Sequence, residues 1–107
     1  MPEIVRYKTS VGLEPVSEWI TSLTDKLALA RIRMRLKALN AGNFGDCKPV
    51  GNGVLELRIH IGAGYRVYCG RYGEAIILLL CGGDKRSQES DIRLAKAMWT
   101  EWKERQQ

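Results

Sequence analysis

Leu55-Glu56-Leu57-Arg58-Ile59-His60-Ile61, then Gly62-Ala63-Gly64, then Tyr65-Arg66-Val67-Tyr68-Cys69, is the stretch that decides the fold. Strand side chains alternate between faces. Leu55, Leu57, Ile59 and Ile61 therefore share one face, and Glu56, Arg58 and His60 share the other. The Gly-rich turn sends the chain back antiparallel and brings Arg66 near Arg58 and His60. An acid, an imidazole and cations in one row on a sheet face point to phosphate chemistry rather than to a solvated edge.

The rest of the chain follows outward from this hairpin. After the tight turn at Gly73-Glu74 comes Ala75-Ile76-Ile77-Leu78-Leu79-Leu80-Cys81, apolar without alternation, as expected of a strand covered on both faces. Ser87 is a good N-cap for a last helix, on which Ile92, Ala95, Trp99 and Trp102 form one apolar stripe. Upstream, 43–53 is rich in Gly, Asn and Pro and reads as a loop. Before it, Thr24 is a candidate N-cap and Gly42 a stop for a helix whose stripe is Leu29, Ile32, Leu36 and Leu39. A shorter helix opens at Glu14-Pro15 and carries Val16, Trp19, Ile20 and Leu23 at helical spacing. Residues 4–7 form a short first strand. The expected order is β-α-α-β-β-β-α: an α+β fold with a mostly antiparallel, four-stranded sheet packed with helices.

Composition sets the class. The 107 residues suit one small domain, 1–107, with one core. A hydrophobic fraction of 45% with 27% charged residues excludes a disordered tail. The net charge of +5 favours a polyanionic partner, though a solubilising surface has the same signature. Cys47, Cys69 and Cys81 are odd in number and form no Cys-x-x-Cys pair. The start, Met1-Pro2-Glu3-Ile4, lacks the basic and apolar segments of a secretory signal, and no apolar run is long enough for a bilayer. The expectation is a cytoplasmic protein with free thiols and no membrane partner. A metal site of Cys69, Cys81 and His60 is conceivable, but both thiols read better as small buried hydrophobes, so no metal or cofactor is expected.

The pattern Leu55-Glu56-Leu57-Arg58-Ile59-His60, then Gly64-Tyr65-Arg66-Val67-Tyr68, then an apolar strand and Gly82-Gly83-Asp84-Lys85-Arg86-Ser87-Gln88, resembles the RelE/ParE superfamily of bacterial toxins. It is most similar to the HigB-like group of addiction module killer proteins. The resemblance covers essentially the whole chain. It implies helices packed on one face of the sheet. It also implies the toxin of a type II toxin–antitoxin module, held by a cognate antitoxin that is often a helix-turn-helix protein. RelE-like members cut messenger RNA on the ribosome; ParE-like members poison DNA gyrase. An RNA-binding module without catalysis is the third possibility.

Metal-free RNA cleavage needs a base for the 2′-OH, cations for the phosphorane and an acid for the leaving oxygen. Arg66 matches the family's Arg after Gly-Tyr and suits a bidentate phosphate contact; the alternative is a salt bridge to Glu56 across the hairpin. Arg58 stands where RelE-like toxins carry a catalytic Lys, and can hold a phosphate but cannot act as a base. Glu56 replaces a second Lys and is either a base or a partner that orients Arg58. His60, the one histidine of the chain, is a candidate general base or acid. Tyr68 and Tyr72 share the face of Arg66, whereas Tyr65 points to the other. Lys85 and Arg86 follow the Gly-Gly loop, where freed N–H groups and a helix start attract anions, and are candidate RNA phosphate ligands. Arg31, Arg33 and Arg35 are candidates for phosphate contacts by counterion release, or are ordinary solvated charge. The catalytic Tyr of RelE-like toxins has no counterpart in Ser87-Gln88-Glu89-Ser90-Asp91. That departure leaves gyrase inhibition open beside a metal-independent mRNA endonuclease.

Overall fold

The computed structural model describes residues 2–107. In chain order the elements are β1 (Glu3–Arg6), α1 (Pro15–Ser22), α2 (Lys26–Asn40), β2 (Cys47–Gly51), β3 (Val54–Ile59), β4 (Tyr65–Tyr72), β5 (Ile76–Gly83), a 3₁₀ turn at Lys85–Ser87 and α3 (Gln88–Arg105). They form one α+β unit around a five-stranded mixed sheet of order β1-β5-β4-β3-β2. β1 pairs with β5 in parallel, and all other pairs are antiparallel.

The sheet thus has one strand more than the four expected. β2 lies inside the segment read as a loop. Asn52 and Gly53 both take positive φ, 57° and 84°, and make the two-residue turn that joins β2 to β3. Pro49 is tolerated because β2 is an edge strand.

Helices cover both faces, not the single face that the family resemblance implies. Val16 and Ile20 of α1 and Ile32 and Leu39 of α2 pack on Leu57, Ile59, Val67, Cys69, Ile77 and Leu79. On the other face, Ala95, Met98, Trp99 and Trp102 of α3 pack on Val54, Tyr68, Leu78 and Leu80. β5 lies between β1 and β4, and Ile77–Cys81 is buried throughout, as its unbroken apolar run requires. Trp99 and Trp102 stack at 5.7 Å and 7° within this second layer.

The caps differ in detail from the expected ones. Asp25, not Thr24, caps α2, its carboxylate accepting from the Ala28 N–H at 3.1 Å. Gly42, with φ 82°, follows the end of α2 as expected of a left-handed stop. Ser87 is the N-cap of α3 by position, but its hydroxyl donates to Asp91 Oδ2 at 2.6 Å instead of capping. Among the described residues no helix is long and apolar enough to cross a membrane.

Candidate functional site: a buried carboxylate under two guanidinium forks

The register of β3 and β4 sets Arg58 directly opposite Arg66, and Glu56 opposite Tyr68. All four project to the face that α3 covers only in part. Two like charges facing each other across a sheet are unfavourable alone. Glu56 resolves the conflict. It is fully buried, at 0% exposure, and its carboxylate lies between the two arginines. Oε1 accepts from Arg58 Nε at 3.3 Å. Oε2 is 3.5 Å from Arg66 Nε and accepts from the Tyr68 hydroxyl at 3.0 Å and from Gln88 Nε2 at 2.9 Å. A buried carboxylate so surrounded has its charge balanced and both oxygens engaged.

The same contacts orient the arginines. Arg58 is anchored through Nε, and its two Nη atoms have no hydrogen-bond partner among the described residues. Arg66 Nη1 donates to the Gly64 carbonyl at 2.7 Å, while its buried Nε meets Glu56 by charge without an aligned hydrogen bond. The side chains remain 31% and 14% exposed, so the forks reach the surface from a buried anchor. Gly64 lies between them and the next cation: a carbon added there would sit 3.5 Å from Arg66 Nη1 and 3.6 Å from Lys85 Cβ. Of the two roles open to Glu56 in the sequence, the geometry is that of the orienting partner.

The tyrosines around this cluster are each packed against neighbouring side chains. Tyr68 is fully buried; burial first, then the Glu56 charge and the hydrogen bond to it, push the phenol far above its ordinary range. Tyr72 packs edge-on against Trp99 and Trp102. Tyr65 points to the opposite face, as alternation requires, and meets Trp19 at 6.3 Å.

His60 stands apart from this cluster. It follows the last residue of β3, is exposed, and its Nε2 meets Asp46 Oδ2 from the loop before β2. The hydrogen bond to His60, with a further contribution from its charge, holds the Asp46 carboxyl below the usual carboxylate range. Arg35 fixes that loop. Its guanidinium donates to the carbonyls of Arg58, Phe44 (2.8 Å) and Asp46 (3.0 Å). Arg35 is therefore a structural clamp, with both Nη atoms engaged by backbone carbonyls. Arg31 is exposed and lines, with Arg58, Asp46 and His60, a groove of about 400 Å³ between α2 and the end of β3.

The Gly82–Ser87 loop also departs from expectation. The Asp84 carboxylate accepts from the Arg86 N–H at 2.9 Å and so fills the place an external anion would take. Arg86 pairs with Asp84 at 3.3 Å, and Lys85 and Arg86 stay exposed. Cys69 and Cys81 belong to opposite layers of the core, and among the described residues no three His, Cys, Asp or Glu side chains gather to hold a metal.

Two partners at these sites escaped the sequence reading. Gln88 lies in the quoted loop, yet nothing local shows that it reaches back to Glu56. Asp46 is 14 residues from His60, and only the unrecognised β2 brings it there.

No family model matches the chain. It is 43% identical over 94 residues, 88% of this chain and 92% of the relative, to a protein of Haemophilus influenzae (strain ATCC 51907 / DSM 11121 / KW20 / Rd) described as "Uncharacterized protein". At that identity and coverage, this chain belongs to the same family as the H. influenzae protein.

Proposed function

We propose that this chain is the toxin of a type II toxin–antitoxin module of the RelE/ParE kind, acting in the cytoplasm as a ribosome-dependent mRNA endonuclease. One observation carries the reading: Arg58 and Arg66 face each other across the hairpin on a buried carboxylate, and the two Nη atoms of Arg58 have no hydrogen-bond partner among the described residues. A phosphorane bears more negative charge than the ground-state phosphate. Cations fixed in advance favour that transition state, because no reorganisation is needed as the charge develops. Lys85, whose Cβ lies near Gly64 as Arg66 Nη1 does, would hold a flanking phosphate. The ribosome would supply the in-line geometry of the message. A cognate antitoxin, in this reading a helix-turn-helix protein with an acidic segment, silences the toxin by lying across the same cations.

A second reading, gyrase inhibition by protein binding, is favoured by a different observation. On the arginine face both Glu56 oxygens are engaged and Tyr68 is buried, so that face holds no free base. Induced expression without antitoxin separates the two. The endonuclease reading expects growth arrest, and in a cell-free system mRNA cut only when ribosomes are present. Intact mRNA with collapsing DNA supercoiling would replace it with the gyrase reading.

A further inference from the structure

We infer that the groove between α2 and the end of β3 supplies the general base that the arginine face lacks, with His60 as base and Asp46 as its positioning residue. The inference rests on the endonuclease reading above and extends it to the proton transfer. His60 Nε2 faces Asp46 Oδ2, and its Nδ1 has no hydrogen-bond partner among the described residues. A carboxylate on one ring nitrogen fixes the tautomer and leaves the other as an acceptor, the arrangement a general base requires.

The dyad is held from behind. Asp46 accepts the Arg58 N–H through its carbonyl at 3.0 Å, and Arg35 clamps the same loop to the strand. Arg58 and His60 are two residues apart, so their Cα atoms are separated by roughly 7 Å along an extended chain. Both residues line the same groove, and the imidazole stays exposed. The charged groups facing His60 are Asp46 from the loop, Arg58 from β3, and Arg31 and Arg35 from α2. Arg31, exposed and with no side-chain partner among the described residues, would steady the nucleotide from the far wall.

The step balances without a cofactor. Nδ1 takes the proton of a ribose 2′-OH, O2′ forms a bond to phosphorus, and the P–O5′ bond breaks. The O5′ alkoxide takes a proton from water, and the imidazolium returns its proton to solvent. The products are a 2′,3′-cyclic phosphate and a 5′-hydroxyl.

The test is single-turnover cleavage of a ribosome-bound message by the full chain, followed across pH, with thermal melting as the control for folding. Both side chains are exposed, so His60→Ala and Asp46→Asn should melt like the wild type. His60→Ala should cut at least about a hundredfold more slowly, the usual scale of lost general-base catalysis. Free imidazole should restore part of that rate. Asp46→Asn should cut about tenfold more slowly. Asp46→Glu, which keeps a carboxylate for the ring N–H, should cut faster than Asp46→Asn, a rescue that a merely structural role would not give. If the wild type cuts and His60→Ala and Asp46→Asn match it in rate and profile, the inference is wrong and the endonuclease reading stands. If the wild type cuts no message on ribosomes, both fall together.

Discussion

At the residue scale, Glu56 is what makes two facing arginines tolerable. Its removal leaves two guanidiniums without their counter-charge, and the Tyr68 hydroxyl and the Gln88 amide without their acceptor. Breaking a buried ion pair by deleting one partner typically costs about 3–5 kcal/mol. Glu56→Ala is therefore expected to lower the unfolding free energy by that amount, read as a lower urea midpoint at unchanged slope, and a variant as stable as the wild type would refute the hub. The facing of Arg58 and Arg66 was legible in the sequence, because alternation and a short turn fix the register of a hairpin. So was the possibility of an Arg66–Glu56 ion pair. The complete burial of Glu56 was not legible, because it depends on where α3 docks, and α3 is more than 30 residues downstream. The clamp role of Arg35 was hidden for the same reason: its acceptors are backbone carbonyls brought near by tertiary packing.

At the element scale, the two layers are fitted to the sheet through glycines. A carbon added at Gly70 on β4 would lie 2.4 Å from the Trp99 ring, and one at Gly82 would lie 2.2 Å from Trp19. Neither indole can retreat into a packed layer without moving its helix. Gly70→Ala is expected to cost about 1–3 kcal/mol, the usual scale of overpacking. Gly70 does not take positive φ, so a loss in thermal melting of Gly70→Ala reports the clash with Trp99, and a variant that melts like the wild type would show that the indole gives way. Element boundaries followed the strength of the local signal. β4 falls at Tyr65–Tyr72, and the stripes of α1, α2 and α3 face the core. β2 was missed because Gly, Asn and Pro outweigh its two apolar residues. Asn52-Gly53 between Val50 and Val54 is nevertheless a hairpin signal that could have found it. The parallel pairing of β1 with β5 leaves no local trace, since the partners are more than 70 residues apart.

At the scale of the whole molecule, the sheet carries a helical layer on each face, and burial holds Cys69 and Cys81 in the neutral form. Burial is the larger cause in both: Cys69 is pushed up to about 12, with the nearby Cys47 adding to it, and Cys81 to about 12, with Asp91 adding to it. Their ordinary value is near 9. The folded state thus favours the protonated thiols. This contribution is complete below pH 9 and is lost as pH rises toward 12. Melting temperature should hold between pH 7 and pH 8.5 and fall steeply above pH 9, less steeply in a Cys69→Ala, Cys81→Ala double variant. A double variant with the wild-type slope would show that other groups drive the loss. The claim that binds these scales together is that Arg58 and Arg66 act on an RNA phosphate. Its most direct test is cleavage of a ribosome-bound message by wild type, Arg58→Ala and Arg66→Lys, with binding to the ribosome measured alongside. The account predicts that the wild type cuts. Arg58→Ala should bind yet cut about a hundredfold more slowly, and Arg66→Lys should cut in part, because it keeps the charge and loses the planar fork. Wild-type cleavage by Arg58→Ala, or an intact message with the wild type, would contradict it.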